Sequence, residues 1–210
     1  EVLNRPVRKA VIDAALLTQR NLPGMPSLLF PPVDGPEFKE AMERNQAIAA
    51  QTGYTVDAAL EPIEAVARLR DRETSRRWRA HYDLVRGRLL AMKVRCDEYN
   101  YACAQMKREP KTFSKPEANA WRLVPDREIR YNAKAAAAAE EAGKLLQKVI
   151  DEHPGTPWAL LAQRELRDPL GFQWVETRVQ PIVRNADSAG DASRAKAQRD
   201  QPKPVDPPKL

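Results

Sequence analysis

The sequence predicts an all-α fold: an antiparallel helical bundle or array with one long heptad-patterned helix, a helical hairpin behind it, and a disordered tail. Three observations carry this. The 210 residues are 42% hydrophobic and 30% charged with only 8 Gly, a composition rich in helix formers and able to bury a sizeable core. Apolar and aromatic residues from Trp78 to Met106 recur at alternating four- and three-residue steps. The 18 Pro gather at segment ends and in the last stretch, where they punctuate rather than interrupt.

The first helix is expected from about Pro6 to Arg20, with Pro6 suited to a first turn and Val7, Val11, Ala14 and Leu17 at helical spacing. The run NLPGMPSLLFPPVDG (21–35) cannot be regular helix, and its Leu28, Leu29 and Phe30 should tuck against the core. A second helix starts near Pro36, carries Phe38, Met42 and Ile48 on one face, and is expected to close at Gly53. A third begins near Thr55, and Pro62 within it marks a restart or a kink.

The strongest periodicity follows in Trp78, Tyr82, Val85, Leu89, Met92, Cys96, Tyr99, Cys103 and Met106. This seam predicts a helix of about 34 residues from Ser75 to Arg108, about 50 Å long at 1.5 Å per residue. Trp and Tyr are bulky for a dimer seam, so packing within the chain is expected. Cys96 and Cys103 stand about 10 Å apart along that helix, too far for a disulfide, and read as small buried hydrophobes.

Residues 1–110 thus form the first part of a helical domain spanning 1–183. A connection (111–131) follows, with a weak strand-like hint at Trp121, Leu123 and Val124. Asn132 then caps a helix that ends at His153-Pro154-Gly155. Thr156 caps the next, with Trp158, Leu161, Ala162 and Leu166 as its inward face, making a hairpin over 132–168. Residues 169–183 are expected to dock Phe172 and Trp174 onto the helices. Residues 184–210, where Val205 and Leu210 are the only large apolar side chains, read as a Pro- and charge-rich disordered tail.

The stretch AEEAGKLLQKVIDEHPGTPWALLAQREL (139–166) resembles a tetratricopeptide-type helical pair, in which a Pro-Gly turn precedes an Ala-rich second helix. A single such repeat cannot bury its own face, so it must pack on the rest of the chain. With RRWRAHYDLVRGRLLAMKVRCDEYNYACAQMK (76–107) and HPGTPWALLAQRELRDPLGFQWVE (153–176), the chain resembles the C-terminal helical region that follows a von Willebrand factor A domain in some bacterial proteins. That resemblance implies a place within a larger multidomain protein, and the start at Glu1 rather than Met likewise reads as a piece of something longer, while the tetratricopeptide likeness implies a protein-binding scaffold. It does not extend to metal binding, since the Asp-x-Ser-x-Ser run of such domains is missing.

Motifs for phosphate loops, dinucleotide sites, nucleophile elbows and zinc helices are likewise missing, so no catalytic residue, metal site or cofactor is expected. His81 at the edge of the seam reads as structural. His153 reads as a cationic complement to a helix C-terminus, and Glu140-Glu141 as solvated neighbours. The segment from Arg68 to Arg95 holds ten basic residues against Asp71, Glu73 and Asp83, a net +7 in a chain of net +6. At 100° per residue, Arg68, Arg72, Arg76, Arg79, Arg86 and Lys93 form one stripe, while Arg70, Arg77, Arg88 and Arg95 form another.

Two explanations fit these stripes. They can flank packed helices, with the heads paired to acids such as Glu37, Glu40, Glu43, Glu61 or Glu64. Alternatively, Arg72, Arg76, Arg79 and Arg86 can bind a partner. The expected function is a non-catalytic interaction or scaffold module whose partner is another protein or another domain of the same polypeptide. The alternative is a basic module for anionic surfaces, nucleic acid or acidic lipid.

Overall fold

In the computed structural model, which describes residues 5–33 and 35–180, every other helix is arranged around the long helix foreseen from the seam. The order is α1 (Pro6–Asn21), β1 (Leu29–Phe30), α2 (Pro36–Ala65), a 3-10 helix (Ala67–Arg72), α3 (Arg76–Arg108), β2 (Ala120–Asp126), α4 (Ala133–Glu152), α5 (Pro157–Arg167) and β3 (Gly171–Thr177). Elements α1 to β3 lie in one compact, mainly helical unit. The predicted tail (184–210) and residues 181–183 of the docking segment lie outside the described residues.

The seam of α3 packs within the chain. Tyr82 and Leu89 meet Val56, Ala59 and Ile63 of α2 and Val7, Val11 and Ala14 of α1. Farther along, Tyr99, Cys103 and Met106 meet Phe38 and Met42 of α2 together with Phe30, Trp121 and Leu123 of the strands. The two seam tyrosines bury their rings but not their hydrogen-bonding needs: Tyr82 donates to Ile63 O at 3.0 Å and Tyr99 to Ser27 O at 2.6 Å.

A second face of α3, made of Ala80, Leu84, Gly87, Ala91 and Val94, is also buried. Leu84 there packs with Leu146, Val149 and Ala162 of the hairpin. Gly87 marks the closest approach: a Cβ on it would stand 2.9 Å from Leu146 Cγ. Two caps set the hairpin ends, with Asn132 Oδ1 accepting from Ala135 N at 2.8 Å and Thr156 Oγ1 from Ala159 N at 3.3 Å. Gly155 turns the chain between them at φ +72°, a conformation that favours glycine.

Four expectations need correction. Of the run 28–30 only Phe30 is buried, while Leu28 and Leu29 are 41% and 38% exposed, because the two-residue strand β1 turns Leu29 and Phe30 to opposite faces and Leu28 precedes it. Gly53 does not close a helix: α2 runs unbroken from Pro36 to Ala65, because Gly53 is buried where α2 passes α3 and its missing side chain serves packing, a Cβ there lying 3.6 Å from Cys96 Cβ. Of the restart or kink expected at Pro62, the restart does not occur, since α2 continues through it to Ala65. Ala59 and Ile63 beside it are fully buried, and their packing offsets the bond that Pro cannot donate. On α5, Ala159 and Ala162 face inward with half-buried Trp158, whereas Leu161 and Leu166 are 38% and 39% exposed.

The chain also holds a small sheet of order β1-β2-β3, antiparallel throughout. The weak hint at Trp121 to Val124 is a real strand. Residues 171–177 are one too, pairing Leu123 with Trp174 and Asp126 with Gly171. Phe172 and Trp174 point to the same face as strand residues two apart must. The Phe172 ring meets Tyr99 edge-on at 6.0 Å, and Trp174 Nε1 donates to Ala102 O at 2.9 Å.

Candidate functional site

The arginines singled out by sequence do not form one surface. Arg72 lies on the 3-10 helix, and the break at 73–75 before α3 prevents a single helical phase from joining it to Arg76. Arg72 is exposed; Arg76 is exposed and donates through Nη2 to Glu152 O at 3.2 Å. Arg79 is half-buried, and its Nε has no hydrogen-bond partner. Arg86 is gripped: it donates to both carboxylate oxygens of Glu64, at 2.8 and 3.1 Å, and to Glu141. Burial works against the Arg86 charge, but its bonds to Glu64 and the nearby Glu141 more than offset this and raise its pKa.

The other stripe bolts the hairpin to the bundle. Arg70 is buried against Asp83, itself 2% exposed, and reaches Glu152 of α4 at 3.1 Å. Although burial opposes the Arg70 charge, the hydrogen bonds and charge of Asp83, then Glu152 and Asp71, raise its pKa. Arg88 and Arg95 both pair with Glu165 of α5. Of the acids expected to meet the stripes, only Glu64 does. Arg70, Arg86, Arg88 and Arg95 are met by Asp83 of α3 and by Glu141, Glu152 and Glu165 of the hairpin, whose place on α3 sequence spacing could not give, while Lys93 pairs with Asp57 and Asp97.

The two histidines sit at the same junction. His81 lies between Trp78 and Trp158, ring centroids 5.5 and 5.2 Å away. Burial, with Arg77 nearby, pushes its pKa down. His153 is buried, and burial likewise lowers its pKa despite the charge of Glu152. The expected cationic cap is therefore corrected: the ring favours its neutral form, and the turn is fastened by Thr156 Oγ1 donating to His153 O at 2.6 Å. Both cysteine thiols are free and buried, and burial pushes Cys96 up to about 11 and Cys103 up to about 12.

Among the described residues no cluster of His, Cys, Asp or Glu has the makings of a metal site, and no helix is long and apolar enough to cross a membrane. Exposed large side chains are scattered, Met25 at 91% and Tyr54 at 78% among them, and one group of exposed leucines lies on the hairpin. Leu160 of α5 is 57% exposed, with Leu161 beside it at 38% and Leu166 farther along the helix at 39%. Between α4, the α5–β3 link and residues 127–129 lies a cleft of about 340 Å³, floored by Ala91, Ala142 and Leu146 and walled by Ile129 and Leu170. Sequence reading missed it, because its walls come from three separated segments. The one available signal was the run of small residues at Ala139, Ala142 and Gly143. Comparison of the chain with protein-family models, with curated proteins and with solved structures finds no match.

Proposed function

We propose that this chain is a non-catalytic protein-interaction or scaffold module, part of a larger bacterial polypeptide, that receives another protein or domain on the outer side of its α4–α5 hairpin. The carrying observation is the placement of two neighbouring leucines, Leu160 and Leu161, at 57% and 38% exposure on the side of α5 away from Ala159 and Ala162, which are packed on the bundle. Large apolar side chains gathered on an exposed helix mark an interaction surface more readily than scattered ones do. The likeness of the hairpin to a tetratricopeptide pair supports the same reading, since such hairpins ordinarily stack on a neighbour. Against the anionic-surface alternative stands Arg86, whose guanidinium is already spent on Glu64 and Glu141.

The test compares the parent chain with Leu160→Asp/Leu161→Asp in capture from a lysate at physiological salt, each checked by thermal melting. Both positions are exposed, so folding should survive while a specifically retained protein is lost. Retention unchanged by the pair of substitutions refutes this surface. Submicromolar binding to duplex DNA or to anionic vesicles at that salt, removed by Gln at Arg72, Arg76, Arg79 and Arg86, installs the alternative instead, since non-specific electrostatic binding is about micromolar or weaker there.

A further inference from the structure

We infer that the cleft between α4 and the α5–β3 link is a peptide site that seats one apolar side chain of an acidic segment. This rests on the interaction-module reading and assigns a second, chemically defined place within it. The floor is apolar and made of small or branched side chains: Ala91 and Ala142 are fully buried and Leu146 is 1% exposed, so nothing polar at the bottom asks for water. Gly143 lines the cleft without filling it, since a Cβ there would meet no atom within 4 Å. The volume of about 340 Å³ falls at the small end of the roughly 300–1,000 Å³ typical of ligand clefts, suited to one large side chain rather than a cofactor.

The rim sets the charge of the occupant. Arg127 and Arg167 both line the cleft, are exposed and make no ion pair among the described residues. Two carboxylates lie there too. Glu165 is already neutralised by Arg88 and Arg95, which leaves two guanidinium groups facing Asp168 alone. A free guanidinium recognises a carboxylate through paired N–H donors, so the rim favours an occupant with acidic residues beside its apolar anchor. The cleft also opens beside Leu166, which lines it and is 39% exposed, so an occupant longer than one side chain finds apolar surface to continue on. That extension distinguishes a peptide from a small free acid.

The experiment uses the full chain and three probes: fluorescein-labelled Glu-Asp-Leu-Phe-Glu-Asp, its counterpart Lys-Lys-Leu-Phe-Lys-Lys, and octanoate as competitor. Anisotropy titrations should show the acidic peptide binding at least about tenfold tighter than the basic one. Arg127→Gln/Arg167→Gln should weaken it about tenfold or more, and so should Gly143→Leu, which fills the cleft. The arginine pair is exposed and keeps the test valid if Gly143→Leu disturbs folding. Leu160→Asp/Leu161→Asp should leave peptide binding unchanged, so the cleft and the outer α5 surface fail or stand separately.

Three results overturn the assignment: equal affinity for the two peptides, acidic-peptide binding weaker than about 1 mM, or octanoate binding that depends on these residues while the peptide does not bind.

Discussion

Replacing Gly87 by Ala sets two effects of opposite sign against each other. Within an exposed helix the change gains about 1 kcal/mol in helix propensity. At this position, however, the new Cβ would lie 2.9 Å from Leu146 Cγ, 3.1 Å from Leu146 Cδ2 and 3.4 Å from Leu145 Cβ. Leu146 is 1% exposed, and the nearest atom is its branch point Cγ rather than a flexible tip, so relieving the contact must shift the buried side chain as a whole, at a cost of about 1–3 kcal/mol. The net expectation is a loss of about 1 kcal/mol, or about 2–4 °C in Tm for a chain of this size.

The sign should reverse once the obstacle is gone. Leu146→Ala alone should cost about 2–5 kcal/mol, and in that background Gly87→Ala should recover about 1 kcal/mol, because only propensity then acts. Urea unfolding of the four proteins, followed by far-ultraviolet circular dichroism, closes the cycle. Equal stabilisation by Gly87→Ala in both backgrounds would refute the close approach of α3 and α4 on which the hairpin's placement depends.

Arg70→Met should cost about 3–5 kcal/mol because it leaves Asp83 buried without its partner, and Arg70→Met/Asp83→Leu should recover most of that in the same urea assay. A single substitution with no measurable cost would show that the pair is solvated. For His81 and His153, both with lowered pKa values, the unfolded chain takes up protons near the ordinary value of about 6.5 that the fold refuses. Stability is therefore full above that pH and declines as pH falls through it. Thermal midpoints should drop between pH 7.5 and 5.5 in the parent and drop less in His81→Gln/His153→Gln; an equal drop would place the proton uptake elsewhere.

The seam of α3 was legible because its large side chains recur at one spacing; the spacing gave the helix, and the bulk of Trp78, Tyr82 and Tyr99 in it favoured packing within the chain. Its second buried face was not. Ala80, Gly87 and Ala91 carry little hydrophobic signal, and buried Asp83 and Glu98 sit among them as if solvent-facing. Glu98 is nevertheless satisfied, accepting from the backbone N–H groups of Arg130 and Tyr131 at 2.9 and 2.7 Å, partners that lie a whole strand away in sequence.

Gly53 misled for a related reason. A glycine that ends a helix and one that admits a neighbouring helix look alike in one dimension. The strands were faint because β1 is two residues long and β2 and β3 are separated by the entire hairpin. Which of the arginines are paired was not legible, because most of their acidic partners are delivered by α4 and α5.

The pairing of Asp126 with Gly171 closes the chain on itself, so residues 127–170 leave and return through adjacent strand ends. The hairpin is in this sense an excursion from a finished bundle and sheet. Closing a longer excursion is cheap: doubling its length adds only about 0.6 kcal/mol of closure entropy. A further helical pair spliced in beyond α5 would therefore bear on α5 and its exposed leucines while the strands that clasp its ends stayed where they are. The architecture is one in which reach can be extended from a fixed gate without rebuilding what lies behind it.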